Sequence, residues 1–233
     1  MAKRLIDILG SAVGLLLLSP VLAVVLLLVW LQDFHSPFYI AARAGRGGRA
    51  FRMVKVRSMV IRADNSGIES TGANDPRITA VGRFVRRWKI DELSQLWNVL
   101  CGDMSLVGPR PNTLREVEQY TSAERELLCV KPGITDISSI VFSDEGEILR
   151  DAQDPDRAYA ELIRPWKSRL GLLYVGHSSV ALDLHLIWLT VVAIFDKPRA
   201  LAGVARILGD LRAERSLQDV ARRESPLRPA SLP

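Results

Sequence analysis

The sequence has few of the residues that build metal-binding and nucleic-acid-binding sites. Aromatic residues make up only 6% of the 233 residues, which argues against an RNA-binding surface built on base stacking. The two cysteines, Cys101 and Cys129, lack metal or redox spacing, so we interpret them as reduced thiols at ordinary buried positions. His177 and His185 lack partners at metal-ligand spacing and are interpreted as structural or surface residues. The net charge of +5 is well below that of a DNA-coating protein, and no nucleic-acid partner is expected.

Charge is missing from a long stretch at the N-terminus. The segment "MAKRLIDILGSAVGLLLLSPVLAVVLLLVWLQDF" carries Lys3, Arg4 and Asp7, and then no charged residue until Asp33. A signal peptide would have a shorter apolar core and a small-residue cleavage site, and no such site follows Trp30. The run is long enough for a transmembrane helix, because about 20 residues cross a core of about 30 Å.

The pair Ser19-Pro20 stands in the middle of this apolar run. Proline clashes with the carbonyl four residues before it and leaves that carbonyl unbonded, and in lipid the Ser19 hydroxyl is a local replacement partner. Two topologies stay open: a kinked transmembrane span, and a re-entrant helix-break-helix hairpin within one leaflet. From Leu5 to Ser19 a helix rises roughly 22 Å, short of the apolar core. Basic residues flank the run on both sides, which favours the hairpin with both ends in the cytoplasm. These residues are Lys3, Arg4, Arg43, Arg46, Arg49, Arg52, Lys55 and Arg57.

The rest of the chain has no tandem repeat and no low-complexity segment. "FRMVKVRSM" (51–59) predicts a short β-strand in which Lys55 and Arg57 share one face. Residues 63–77 are rich in Gly, Asn, Asp and Pro and predict a loop. Two helices with apolar stripes are expected next. The first has the stripe Val81, Phe84, Val85 and Trp88, and the second starts at Asp91 and has the stripe Leu93, Leu96, Trp97 and Leu100.

Two adjacent carboxylates, Asp91 and Glu92, stand at the expected start of the second helix, directly after a basic run. The ordinary interpretation is helix capping, with Asp91 at or near the N-cap and Glu92 in the first turn. The helix end and the nearby Arg86, Arg87 and Lys89 also favour ionised carboxylates. An ionised Asp is a competent nucleophile toward phosphorus, and carboxylates beside a diphosphate are usual ligands of Mg²⁺.

Two proline-containing segments add basic candidates for phosphate binding. In "SLVGPRP" (105–111) the prolines stiffen the chain around Arg110, whose guanidinium could hold a phosphate bidentately. In "VKPGIT" (130–135) Lys131 precedes a Pro-Gly turn. Each segment is also compatible with an ordinary surface turn.

Five segments together resemble bacterial sugar transferases, the monotopic phosphoglycosyl transferases that start membrane-bound glycan assembly. They are "KRLIDILGSAVGLLLLSPVLAVVLLLV", "FRMVKVRSM", "NDPRITAVGRFVRR", "KIDELSQLWNVLCGDMSLVGPRP" and "KPGIT". They occur in the family's order between residue 3 and about residue 195. The resemblance implies an α+β, mostly helical fold: a re-entrant hairpin broken at Ser19-Pro20, and a compact cytoplasmic catalytic domain with amphipathic interfacial helices and a short β element.

The resemblance also implies a reaction. The family transfers a sugar-1-phosphate from a UDP-sugar to a polyprenol phosphate such as undecaprenyl phosphate, with Mg²⁺ and release of UMP. It implies a catalytic dyad of Asp91 and Glu92, with Asp91 forming a covalent phosphosugar intermediate and both carboxylates available to Mg²⁺. The candidates for neutralising phosphate charge are Lys55, Arg57, Arg83, Arg110 and Lys131. The expected location is the cytoplasmic face of a bacterial inner membrane, and a homo-oligomer is left open.

The expected organisation is a membrane hairpin (1–36), a catalytic domain (37–197), and an amphipathic helix with a disordered tail (198–233). Enlarged family members carry further N-terminal segments, so this chain is similar to the minimal catalytic form. After "KPGIT" it departs from the family with "DISSIVFSDEGEIL" (136–149), which is acidic and lacks the usual arginine. Residues 180–195 are too short and too polar for a second span and predict a core or interfacial helix.

Two other functions stay open at this point. A membrane-anchored adaptor that reads anionic lipids would explain the apolar run and the arginines, but not the dyad joined to "SLVGPRP" and "KPGIT". A hydrolase would use the same dyad to cleave diphosphates with water.

Overall fold

A computed structural model describes residues 1–67 and 70–233 as an α+β fold that is mostly helical. The helices are α1 (Ala2–Leu31), α2 (Ala80–Arg87), α3 (Ile90–Leu93), α4 (Gln95–Cys101), α5 (Leu114–Glu118), α6 (Ile137–Val141), α7 (Glu145–Ile148), α8 (Pro155–Leu162), α9 (Arg164–His177), α10 (Val180–Phe195), α11 (Lys197–Asp210) and α12 (Arg215–Arg222). The strands are β1 (Phe38–Ala44), β2 (Ala50–Val56), β3 (Ser105–Val107) and β4 (Gly133–Thr135). Short 3-10 turns occupy Arg46–Gly48, Ala63–Ser66 and Glu124–Cys129.

Helix α1 runs without interruption through Ser19 and Pro20, where the sequence predicted two helices separated by a break. The predicted local compensation is confirmed, because the Ser19 hydroxyl donates to the Leu16 carbonyl at 2.8 Å. That carbonyl is the one that Pro20 leaves without its helical partner. Within the described residues, α1 is the one helix long and apolar enough to cross a membrane by length and composition.

The N-terminal half of α1 is fixed to the rest of the fold by polar contacts. The Lys3 ammonium lies 2.6 Å from the Asp183 carboxylate at the start of α10 and donates to the Val107 carbonyl of β3. The buried Asp7 carboxylate accepts from the Ser105 hydroxyl and the Leu106 amide, both at 2.9 Å. These charged and polar groups near the helix start therefore hold α1 against β3 and α10.

The C-terminal half of α1 is held to the same fold by apolar packing. Leu22, Val25 and Val29 are buried in a cluster with Val56 and Val85. Both halves of α1, on either side of Pro20, thus contact the body formed by the following residues. The opposite face of α1 is apolar and exposed along its length.

Strands β1 and β2 form an antiparallel hairpin in which Phe38 pairs with Val56 and Ala44 with Ala50. Strand β2 ends at Val56, so Arg57 lies beyond it, and the predicted strand over 51–59 is three residues too long at its C-terminal end. The glycines Gly47 and Gly48 in the turn have φ of 69° and 75°, which side chains other than glycine rarely adopt.

Strands β3 and β4 form a short parallel pair in which Ser105 faces Gly133 and Val107 faces Thr135. The segment "KPGIT" therefore continues from its Pro-Gly pair into a strand, where the sequence predicted only a turn. The chains approach so closely that a Cβ on Gly133 would lie 2.1 Å from the Gly108 nitrogen. Glycine at both positions thus allows "SLVGPRP" and "KPGIT" to lie side by side.

The main apolar core lies between α6, α9, α10, α11 and α12. Helix α10 buries Leu182, Leu186 and Leu189 in this core, while Trp188 and Phe195 on another face are exposed. The prediction that residues 180–195 form a core or interfacial helix is therefore confirmed as far as the core is concerned.

The residues after Lys197 pack onto the same core, through Val204 and Leu208 of α11 and Leu217 of α12. The sequence predicted a disordered tail beyond the helix. In the structure, residues 224–233 lie against the fold through backbone carbonyls: Arg228 accepts from the Trp166 indole at 3.0 Å and Pro233 from the Thr121 hydroxyl at 2.7 Å.

The interpretation of the cysteines as buried residues is wrong. Cys101 ends α4 and Cys129 ends a 3-10 turn, and both are exposed free thiols. Cysteine is usually a buried residue, but both of these cysteines stand at the ends of short helical segments that face solvent. The residue type alone does not show this. His177 and His185 are exposed, as expected for surface residues.

Candidate active site

The acidic pair lies in a short helix whose start is set by backbone conformation. Lys89 has φ of 55° and stands at the N-cap of α3, and no side chain caps this helix. Asp91 is in the first turn, near the N-cap rather than at it, and Glu92 lies in the same turn as the sequence predicted. Neither carboxylate caps the helix through a side-chain hydrogen bond, although both lie in the first turn, where a helix favours negative charge. The left-handed Lys89 is a local strain of the kind that concentrates at functional sites.

Arg110 reaches the dyad from the "SLVGPRP" segment. Its Nη2 donates to Glu92 Oε1 at 2.5 Å, and the neighbouring Pro109 and Pro111 are both buried. The prolines thus anchor the backbone on both sides of the arginine. The structure brings together two sequence candidates that are 18 residues apart in the chain.

Helices α3 and α4 hold strand β2 through side chains. The Ser94 hydroxyl donates to the Val54 carbonyl at 3.1 Å, and Asn98 Oδ1 accepts from the Val54 amide at 2.9 Å. The Asn98 amide nitrogen donates to the Arg52 carbonyl at 2.8 Å. These bonds satisfy the free edge of β2 and place Lys55, the next residue along the strand, beside the dyad.

The two carboxylates differ in electrostatics. Burial would raise the pKa of Glu92, but Arg110 and Lys55 outweigh burial and hold that pKa well below its ordinary value. Burial, followed by the charge of Glu92, raises the pKa of Asp91 above 3.8, against the opposing effects of Lys55, Arg86 and Lys89. The sequence had predicted that the basic surroundings would favour ionised Asp91. They do act in that direction, but desolvation and the adjacent carboxylate are stronger.

Lys55 is the cation shared by both carboxylates. Burial, together with the positive charge of Arg110, lowers its pKa to about 8, although Glu92 and Asp91 oppose the change. The site therefore contains one permanently charged guanidinium and one ammonium that can lose its proton near physiological pH.

The other three predicted phosphate-binding residues have their described contacts away from Asp91 and Glu92. Arg57 is buried, and its guanidinium is bonded to the Asp33 carboxylate at 2.6 and 2.7 Å. Its charge is therefore paired just beyond the C-terminal end of α1. Arg83 is exposed on α2 and donates to the Ile78 carbonyl at 3.3 Å. Lys131 lies close to Gly102 at the end of α4. Lys131 lines a cleft together with Gly102 and Asp103, and its role in phosphate binding stays a prediction.

Sequence reasoning missed an ion pair at the edge of the site. Glu145 of α7 is bonded to Lys167 of α9, and the Lys167 ammonium lies 5.3 Å from the centre of the Tyr159 ring. The negative charge of Glu145 raises the pKa of Arg110, although by less than the charge of Glu92 does. The sequence did show that the segment 136–149 is acidic and departs from the family pattern. It did not indicate where this segment lies in the fold.

The arrangement fits a divalent cation held jointly with substrate phosphates. Asp91 Oδ1 is buried and has no hydrogen-bond partner among the described residues, so it is free to coordinate an ion. Glu92 is already bonded to Arg110, and residues 1–67 and 70–233 contain no group of three or more His, Cys, Asp or Glu side chains that could hold a metal by itself. Mg²⁺ commonly binds through one or two carboxylates plus phosphate oxygens.

Residues 1–197 match the model of the bacterial sugar transferase family. The chain belongs to this family. The galactosyl transferase CpsE of Streptococcus agalactiae is 35% identical over 204 residues, covering 83% of this chain and 42% of that protein. The UDP-glucose:undecaprenyl-phosphate glucose-1-phosphate transferase of Klebsiella pneumoniae is 34% identical over 194 residues, covering 81% of this chain and 39% of that protein.

A further relative is the putative undecaprenyl-phosphate N-acetylgalactosaminyl 1-phosphate transferase of Bacillus subtilis. It is 46% identical over 109 residues, covering 47% of this chain and 61% of that protein. The chain thus spans between 39% and 61% of the length of these curated relatives. The names of these relatives share a sugar or sugar-phosphate transferase activity and differ in the sugar.

Proposed function

We propose that this sugar transferase moves a sugar-1-phosphate from a UDP-sugar to a polyprenol phosphate and releases UMP. The observation that carries the proposal is the state of Asp91: buried, outside any capping role, with Oδ1 free and with Arg110-bound Glu92 beside it. A free carboxylate oxygen in a cationic pocket suits attack on a phosphorus atom. The proposal includes the covalent step, which the family resemblance implies.

The reaction consists of two displacements at one phosphorus atom. An Asp91 oxygen attacks the phosphorus that bears the sugar, the bond from that phosphorus to the bridging oxygen breaks, and UMP leaves with the electron pair. A phosphate oxygen of polyprenol phosphate then attacks the same phosphorus and displaces the Asp91 carboxylate. The product is a polyprenol diphosphosugar, and the enzyme returns to its starting state.

The cations around the dyad neutralise charge on the transferring group. Lys55 and Arg110 lie beside the carboxylates, and Arg86 and Lys89 add positive potential. Because Arg110 and Lys55 hold the pKa of Glu92 low, Glu92 is a weak base. We therefore assign it to positioning Arg110 and to cation binding rather than to proton transfer. Asp91 and Glu92 would hold Mg²⁺, which supplies charge neutralisation of the diphosphate when bound.

Both ends of α1 lie on one side of the membrane in our proposal, so the helix enters and leaves the same leaflet. The supporting observation is that Lys3 near its start and Val29 near its end both contact the body that carries the dyad. A simple span would carry one of these ends away from that body. The basic flanks favour the cytoplasm as the shared side, and we assign the protein to the inner membrane.

Exposed aromatic side chains support a dyad near the depth of the lipid headgroups. Phe84, Trp88 and Trp97 are 52%, 42% and 55% exposed and belong to, or directly follow, helices that contact α1. Aromatic residues are favoured at membrane interfaces. Asp91 lies between Trp88 and Trp97 in the chain, so the reacting phosphate of a lipid acceptor would not need to leave its headgroup layer.

The test uses purified protein in phospholipid nanodiscs with undecaprenyl phosphate and a panel of UDP-glucose, UDP-galactose and UDP-N-acetylgalactosamine. UMP release and transfer of labelled sugar phosphate to the lipid fraction are measured together. The proposal expects both with at least one donor, and expects neither from Asp91→Asn. UMP release with free sugar phosphate and no labelled lipid would establish a hydrolase instead. No turnover of any UDP-sugar, with lipid binding intact, would favour the adaptor.

A further inference from the structure

A second basic cleft lies at the far end of the β1–β2 hairpin from the dyad. It encloses about 630 Å³ between the hairpin turn, the end of α4 and the start of "KPGIT". Its lining contains three cations and one carboxylate, and the residues are Gly45, Arg46, Gly47, Arg49, Ala50, Phe51, Gly102, Asp103 and Lys131. From Ala50 to Lys55 strand β2 rises about 17 Å, so this cleft is separate from the catalytic pocket.

The cations of the cleft are available to a ligand. The side chains of Arg46, Arg49 and Lys131 make no hydrogen bond or ion pair with any other part of the described chain. The carboxylate of Asp103 already accepts a hydrogen bond from the Asn98 amide at 3.3 Å. The cleft therefore has an excess of positive charge that no described side chain neutralises.

The end of α4 is shaped to keep this positive charge. Gly102 has φ of 96°, and a Cβ there would lie 3.3 Å from the Arg4 guanidinium and 3.6 Å from the Lys131 ammonium. Arg4 donates to the carbonyls of Val99 and Leu100 at 2.6 and 2.8 Å. These carbonyls form the negative end of the helix dipole, so Arg4 offsets a partial negative charge that would repel an anion.

The position of Arg4 also sets the depth of the cleft. The residues that follow it, Leu5, Ile8 and Leu9, are apolar and 59%, 37% and 56% exposed. In the proposed topology they enter the bilayer, which puts Arg4 and the adjoining cleft at the boundary between lipid tails and cytoplasm. That boundary is where lipid phosphates lie.

We propose that this cleft binds the phosphate headgroup of an anionic membrane phospholipid. Arginine forks suit phosphate oxygens, and juxtamembrane cations attract anionic lipids. The glycine turn leaves the cleft open toward its ligand, since nothing lies within 4 Å of a Cβ built on Gly47. This inference rests on the membrane placement in the proposed function and not on the transfer reaction.

The test compares two double variants that remove the same charge from the same hairpin. Arg46→Gln with Arg49→Gln removes two cleft cations. The control, Arg43→Gln with Arg52→Gln, removes two hairpin cations that do not line the cleft. Full-length protein is partitioned onto vesicles of phosphatidylcholine, with and without one fifth phosphatidylglycerol, and the ratio of the two partition coefficients is measured. Inorganic phosphate is then added as a soluble competitor.

The cleft variant should lose about 25-fold of its preference for phosphatidylglycerol, because each juxtamembrane cation contributes roughly fivefold, while the control should keep most of it. Equal losses in both variants would overturn the proposal and indicate a diffuse basic surface. Competition by millimolar phosphate on neutral vesicles as well as anionic ones would also overturn it, in favour of a soluble phosphate ligand. Native protein that transfers sugar phosphate but shows no preference for phosphatidylglycerol would reject this inference alone. Lipid preference without transfer would reject only the reaction.

Discussion

Arg110 Nη2 and Glu92 Oε1 lie 2.5 Å apart, and this bond joins the two segments that make the site. Glu92 is bonded to the arginine, whereas the adjacent Asp91 has a buried oxygen with no hydrogen-bond partner among the described residues. The two carboxylates thus have different roles. Glu92 is a paired negative charge, and Asp91 remains available to react with the substrate.

Replacing Asp91 by Asn should abolish sugar phosphate transfer, with a loss of roughly 10³-fold or more, because the amide cannot act as the nucleophile. Trapping with labelled UDP-sugar in acid-quenched samples should show a covalent phosphosugar adduct in the native protein and none in Asp91→Asn. Substantial turnover by the pure variant would contradict the role of Asp91.

The same substitution should stabilise the fold near neutral pH. A raised acid pKa means that the folded state binds the proton more tightly than the unfolded state, so ionising Asp91 costs stability as pH rises above 3.8. The Tm of Asp91→Asn should therefore be higher than that of the native protein at neutral pH. The difference between the two Tm values should shrink toward pH 4. A variant less stable than the native protein at neutral pH would show that Asp91 is structural.

Replacing Arg110 by Gln should lower kcat/KM by about 10²-fold to 10³-fold, since it removes a cation from the transferring group. It should also let the pKa of Glu92 rise toward 4.5. The acid limb of the pH profile of kcat/KM should therefore shift to higher pH. Arg83→Gln is the matched comparison, because that exposed arginine donates to the Ile78 carbonyl and has no described bond to Asp91 or Glu92. Equal losses in the two variants would mean that the sequence-based assignment of Arg83 was correct.

The alkaline side of the pH profile should report Lys55. Its lowered pKa of about 8 means that the ammonium is progressively lost as pH rises through that value, and donor binding should weaken with it. In Lys55→Arg the charge persists, so the alkaline limb should shift upward even if kcat falls. Measuring KM for the donor across this range checks the assignment, which fails if the limb is unchanged.

Activity should disappear with excess chelator and return with Mg²⁺, because the donor diphosphate meets a free Asp91 oxygen. The control is chelator saturated with Mg²⁺ before addition, which separates metal removal from any effect of the chelator itself. Full turnover in excess chelator would show that Lys55 and Arg110 suffice.

Replacing Ser19 and Pro20 by Ala and Leu should favour a straight span, because the Leu16 carbonyl then recovers its helical partner. Moving Lys3 and Arg4 across the membrane would cost a few kcal/mol and break the Lys3–Asp183 contact, so activity should fall. A cysteine at residue 2 reports sidedness toward an impermeant reagent in intact cells. Cys101 and Cys129 are exposed and must first be replaced by Ser. A native N-terminus that reacts from outside would exclude the same-side topology.

Local chemistry and chain order were enough to predict several features from the sequence. The Ser19 hydroxyl compensates for Pro20 because the unbonded carbonyl is only three residues away from it. Arg110 and the acidic pair could be linked because their motifs are rigid and lie in one recognisable block. The family itself was predictable for the same reason, since the order of the motifs is a property of the chain.

Only the tertiary structure decided how each charge is used. Arg57 and Lys131 have the same charge as Lys55. However, Arg57 is paired with Asp33, and Lys131 lines a separate cleft. The pKa of Asp91 rises although basic residues surround it in sequence, because burial is a property of the packed fold. Sequence spacing supplies the sign of a charge, whereas its partner and its desolvation depend on elements that are distant along the chain.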